Sequence, residues 1–284
     1  MARTSALGIA LAAGLLWLGL RPPAASAQPA AMPSCEEQRQ STARLMASAR
    51  GQQALEVAAA KAALAKLDDL RSRFQAGETL EEPYAGASHW QKLSRGAAEP
   101  VKAELFRRVA KDQFARSLVI ATASRTSWAA GLSDAAVGIA SAAAFTRDWC
   151  GIDEDNTRWL QQQIRTRGWF RRKADGRDAD NAAFLLVQHA DGNKAFQKEV
   201  LRMLEPLLKA GDVRPQNYAL LFDRVAVGEK RPQRYGSQGN CTGPGTWAEF
   251  AVEAPASLDQ RRAQMSLEPM AAYRKRFKAA CGGG

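Results

Sequence analysis

The sequence predicts a mainly α-helical protein: a compact helical domain with one small β-hairpin, preceded by an N-terminal helical segment. Three observations predict it. Apolar side chains recur at helical spacing, as in Leu64, Leu67, Leu70 and Phe74, which places them on one helix face. Glycine, proline and capping Asx residues punctuate the chain at helix-length intervals. Period-two alternation is confined to one stretch, residues 224–238. Of the 284 residues, 46% are apolar and 24% charged, with a net charge of +11. That is the balance of a globular chain that buries a core, and it excludes a largely disordered or fibrous protein. The length fits one or two domains. The expected division is a helical extension over residues 28–95 and the helical domain over residues 96–284.

The elements follow in order. Residues 1–27 read as a secretory leader: Arg3 is the positive start, and Ala6 to Leu20 is apolar and uncharged. Arg21, Pro22 and Pro23 stop that run, and Ala25-Ser26-Ala27 is a small-residue cleavage pattern before Gln28. The apolar run is shorter than the roughly 20 residues of a membrane span. An uncleaved anchor is the competing reading. Lipidation at Cys35 is disfavoured, because Met32-Pro33-Ser34 is not a small-residue box. No later segment reads as a transmembrane span; Ala129 to Phe145 comes nearest and contains Asp134. The chain is therefore expected in the periplasm or secreted. In an oxidising compartment Cys35, Cys150, Cys241 and Cys281 can pair in three ways. The favoured pairing is Cys241–Cys281 with Cys35–Cys150, which ties each terminal segment to the body; free buried thiols are the alternative.

A long helical segment is expected over residues 36–76, and residues 77–95 break it with Gly77 and Pro83. Pro100 opens a helix from Val101 to about Ile120, with Leu105, Val109 and Phe114 as its apolar stripe. A small-residue helix follows near Ala129 to Phe145, then amphipathic helices at Asn156 to Arg167 and Asp180 to Ala190. Asp191-Gly192-Asn193 turns and caps a helix from Lys194 to Ala210 that Gly211 closes. Pro215 to Phe222 is a short helix. Arg224 to Val227 and Pro232 to Gln238 are the two expected hairpin strands, and Pro269 to Phe277 is the last helix.

His189 is the leading functional candidate. Its spacing from Leu185 and Phe196 puts it on an apolar face, and a buried imidazole needs partners for its nitrogens. Gln188, Asp191, Asp223 and Arg224 are the nearest suppliers. One reading makes His189 a general base, with Asp223 fixing its tautomer. The other makes it a core histidine that pins helices together. Arg224 can clamp a carboxylate or phosphate, or form an internal ion pair. Gln233 and Tyr235 share a strand face and, with Gln238, line a polar pocket or an exposed face. Together Gln188, Asp191, Arg224, Gln233, Tyr235 and Gln238 are the ligand-binding set, for a small polar or anionic ligand. A hydrolase and a purely structural or interaction module are the alternatives.

Other chemistry finds little footing. There is no P-loop, dinucleotide fingerprint or Gly-x-Ser-x-Gly elbow, so no cofactor is expected. His89 and His189 are the only histidines, and the cysteines lack zinc spacing, so no metal is assigned; a site from His189 with two Asp is the weaker alternative. Arg165, Arg167, Arg171, Arg172, Lys173 and Arg177 surround Trp169-Phe170. Such a cluster can hold an anionic envelope surface rather than a specific nucleic acid, or can simply be a solvated loop.

These motifs resemble a bacterial family of unknown function. Its boxes are matched by Gln188-His189-Ala190-Asp191, Asp223-Arg224-Val225 and Gln233-Arg234-Tyr235-Gly236-Ser237-Gln238. Asp112-Gln113 with Arg116, Asp153 with Asn156, Gly168-Trp169, and Arg261-Arg262 with the closing helix are similar to further family elements. The resemblance spans about Glu99 to Phe277 and implies a predominantly helical, often exported domain without an established activity. Phe170 stands where the family commonly has proline.

Overall fold

The computed structural model describes residues 35–123, 126–278 and 281, so the expected leader lies outside the described residues. The chain is mainly helical with a single two-stranded antiparallel hairpin among the described residues. Two compact units divide it, residues 23–159 and 160–284, and the boundary falls inside one helix.

The first unit begins with α1 (Cys35–Ser48) and α2 (Gln52–Ala76). The sequence reads as one helix here, but Gly51 adopts φ 56°, a left-handed conformation that breaks the ladder. Gly77 closes α2 with its N–H on the carbonyls of Arg73 and Phe74. A helix then stands where a break was expected, α3 (Ala85–Gly96). Pro83 precedes it rather than interrupting it, and its apolar residues Ala87 and Trp90 are buried. It packs along α4 (Pro100–Ala123). Phe74 stacks on Phe114 at 4.4 Å, with Tyr84 tilted against the same ring. In α5 (Asp134–Ala144) the Ser133 side chain caps the first turn by accepting from Ala136 N–H. Its small residues let it lie against α2 and α4. Helix α6 (Ile152–Arg167) carries the unit boundary.

The second unit continues with α7 (Arg177–Gln188), α8 (Lys194–Lys209) and α9 (Pro215–Gly228). Helix α9 corrects the hairpin expectation. Arg224 to Val227 is helical, and Asp223, Arg224, Val225 and Ala226 are all buried, so α9 is enclosed on several sides. A short alternating run cannot distinguish a strand from an enclosed helix. The hairpin forms later, between β1 (Gly239–Gly243) and β2 (Thr246–Glu249). Gly239 is required there, because a Cβ would stand 2.2 Å from the Ala248 carbonyl oxygen. Residues 232–238 form a loop, with one isolated bridge from Gln233 to Val252.

Two short helices close the chain, α10 (Leu258–Gln264) and α11 (Met270–Lys278). Leu258, Met270 and Tyr273 form a core cluster with Trp247, Val252 and Phe277 packed on it. A second cluster joins Ala219, Tyr235 and Met265. Each fully buried large apolar side chain contributes about 1.5–3 kcal/mol. A disulfide joins Cys241 in the hairpin to Cys281, across a sequence separation of 40. Closing a loop of that size stabilises by roughly 4 kcal/mol on chain-entropy grounds. Cys150 is also disulfide-bonded. The Cys35 side chain lies outside the described ones. No described helix is long and apolar enough to cross a membrane.

Candidate functional site

The Gln188-His189-Ala190-Asp191 box is the C-terminal end of α7. His189 is the C-cap, with its N–H on the Leu185 carbonyl. A helix end leaves carbonyls without helical partners. Gln197, fully buried on α8, reaches back to supply them: its amide donates to the carbonyls of Val187 (3.1 Å) and Gln188 (3.3 Å). Asn193 caps α8 by accepting from Phe196 N–H at 3.0 Å. The capping therefore falls to Asn193, and Asp191 has other work. Asp191 accepts from Arg224 at 2.6 Å and from Lys194 Nζ at 2.7 Å. Burial pushes its pKa up, but the charge of Arg224 and the bonds from Lys194 and Arg224 outweigh this and hold it at about 2.

Arg224, His189 and Gln188 are all more than nine-tenths buried. Arg224 places one terminal nitrogen on Asp191, and its Nε has no hydrogen-bond partner among the described residues. The Gln188 side-chain oxygen likewise has none. Lys194 also lines a shallow groove open to solvent, with Ala195, Lys198, Val225, Gly228 and Glu229.

The other predicted residues form a different structure. Asp223, with no exposed surface, accepts the backbone N–H groups of Arg234 (2.8 Å), Tyr235 (3.0 Å) and Ser237 (2.8 Å). Burial raises its pKa against the pull of those amides. Gln233 donates to the carbonyls of Gln238 (2.7 Å) and Phe250 (3.0 Å) and accepts from Gln238 N–H (2.8 Å). The Gln238 amide turns to the Ser237 hydroxyl. The Tyr235 ring is buried against Phe222, edge to face. Gly236 has φ +67°, and a Cβ there would press on the Met270 sulfur at 3.1 Å. The fully buried Arg262 holds the Tyr235 carbonyl, and the Tyr273 hydroxyl donates to the Ser237 carbonyl at 3.0 Å. The Gln-x-Tyr-Gly-Ser-Gln box is thus a loop laced onto the Asp223 carboxylate. The expectation that a helix gives way to a strand at Asp223-Arg224 is corrected: both lie within α9 and serve different neighbours. No hydrogen bond or ion pair joins Asp191 or Arg224 to Gln233, Tyr235 or Gln238 among the described residues.

In the first unit, the boxes matched by resemblance form their own polar cluster. Arg116 donates to Asp112 (3.0 Å) and to Asp153 (2.6 Å), and its guanidinium lies 4.6 Å over the Trp149 ring. Asn156 accepts from Arg108 at 3.1 Å. Gln197 and Lys194 were not singled out by sequence; the signal was their position in the turn after an Asx cap, facing back toward the preceding helix.

The basic run is largely committed internally. Arg167 pairs with Asp175, Arg171 with Asp212, and Lys173 Nζ with the Ala210 carbonyl at 2.7 Å. Trp169 and Phe170 are core residues, Trp169 donating to Asp180 at 2.9 Å. Both aromatics are therefore buried and offer no surface to a polyanion.

A model described as a family of unknown function (DUF6624) matches residues 116–283. No curated protein matches the chain. No solved structure matches it either.

Proposed function

The chain belongs to the DUF6624 family, a family of unknown function, and from that premise we propose that it is an exported protein that binds a small polar or anionic ligand where α7 ends against α9. One observation carries the reading. Gln188 and Arg224 are buried, yet one acceptor and one donor on them have no partner among the described residues. Each such group costs about 1–3 kcal/mol when left unmet. A ligand with an oxygen for the Arg224 N–H and a donor for the Gln188 oxygen removes both costs. A hydroxy acid or a carboxylic amide has that pattern. Asp191, held ionised, keeps Arg224 charged and in place. His189, next to Gln188 in sequence, is buried as well. Hydrolysis with Asp223 orienting His189 gains no support from Asp223, whose bonds come from loop amides.

The test is calorimetric titration of the mature protein with small hydroxy acids and amides. Saturable binding that Arg224→Lys and Gln188→Leu each weaken supports the reading. Binding unaffected by both overturns it. Export rests on the leader-like sequence and on paired cysteines, none of which is free among the described residues. N-terminal sequencing of the cell-envelope fraction should begin at Gln28.

A further inference from the structure

The basic run conceals a trio that only the fold assembles. Arg167, Arg171 and Lys173 are occupied as described above. Arg172 and Arg177 form no side-chain hydrogen bond or ion pair among the described residues. Arg214, from a distant stretch, has only the Gln216 oxygen at 3.1 Å. Backbone bonds gather these three. Arg172 N–H donates to the Asp212 carbonyl at 2.9 Å, two residues before Arg214. Arg214 N–H donates to the Asp180 carboxylate at 2.9 Å. Asp180 lies in the first turn of α7, which Arg177 opens.

The two buried carboxylates among them are committed elsewhere: Asp212 accepts from Arg171 and from Lys173 N–H. Asp180 is 1% exposed and divides its oxygens between the Trp169 indole N–H and Arg214 N–H. Asp178, exposed beside Arg177, makes no ion pair among the described residues. Arg177 and Arg214 are exposed and Arg172 is half-buried. Burial, then the charges of Arg177 and Arg172, push the Arg214 pKa down, with Asp180 opposing. Backbone bonds thus gather the three cations, and none of them pairs with a carboxylate side chain among the described residues, the exposed Asp178 included.

We propose that Arg172, Arg177 and Arg214 form an anion site, separate from the α7–α9 site, that holds one phosphate group. Guanidinium forks suit tetrahedral oxyanions, and several of them can share one phosphate. The phosphate is either inorganic or carried on a lipid headgroup. Mature protein is titrated at low salt with inorganic phosphate, followed by amide chemical shifts, and in parallel with phosphatidylglycerol vesicles against phosphatidylcholine vesicles. The expected result is saturable binding in at least one arm, weakened about tenfold or more by Arg177→Gln and by Arg214→Gln. Arg165→Gln, in the same run but outside the trio, should change it less than twofold. Arg172→Lys serves as the milder variant at the half-buried position, and melting curves confirm that each protein folds. Binding in the phosphate arm identifies the free ion, and binding confined to anionic vesicles identifies the headgroup. Absence of binding in both arms overturns the proposal, as does an equal loss in Arg165→Gln.

Discussion

The loop over residues 233–238 and the turn at the end of α7 are both dense with buried polar groups, but they resolve them differently. In the loop, every oxygen of Asp223 and the whole amide of Gln233 meet backbone partners. At the turn, Gln188 and Arg224 each keep a group unmet. Gln233 and Gln188 make the contrast sharp: both are buried, one is a fastener and the other has an idle oxygen. Burial of a polar residue therefore says little about role. The inventory of its bonds separates scaffold from a place where a ligand belongs.

The largest effect should come from Asp223→Ala. It strands the amides of Arg234, Tyr235 and Ser237 in the interior, and unfolding in urea should show a loss of about 4 kcal/mol. A loss below about 1 kcal/mol would remove the loop's claim to be scaffold. Gln233→Leu should cost about 2 kcal/mol by the same measurement, because three bonds disappear without replacement.

Asp191 should produce a smaller, pH-dependent effect. Its carboxyl titrates at about 2 in the folded chain, below the usual 3.8, so its contribution is present above pH 3.8 and is lost as pH falls toward 2. The side chain is 41% exposed, so screening limits this to roughly 1 kcal/mol. Asp191→Asn should flatten the stability profile across that window, and an unchanged profile would contradict the ion pair. Gln188→Leu should have the smallest effect on folding, within about 0.5 kcal/mol of the parent or slightly stabilising, while ligand affinity falls about tenfold. A large destabilisation would make Gln188 a fastener like Gln233 and erase the contrast.

Much of the helical fold was legible. Pro100, Asn193, Gly211 and Pro215 mark helix boundaries through caps and fixed φ, which act locally, whereas the start of α5 was set too early, near Ala129 rather than after the Ser133 cap. The hairpin was misplaced because Arg224-Val225-Ala226-Val227 alternates while lying in a helix buried on several sides, where periodicity carries no information. The helix at residues 85–96 was overlooked because Gly77 and Pro83 read as breakers, although both lie outside it. The polar residues of the site were visible as types. Their partition was not, since Asp223 and Arg224 are neighbours in sequence but point about 100° apart on a helix.

What the sequence determined by itself was local: helical content, caps and the stock of polar groups available for burial. Those features depend on residues a few positions apart, and their physics is complete within one turn. The tertiary structure decided which groups are satisfied. Asp191 meets Arg224, Asp223 meets the amides of residues 234–237, and Arg214 joins Arg172 and Arg177, all through contacts between distant segments. Hydrogen bonds and ion pairs are set by distances of about 3 Å, and only the folded chain fixes those.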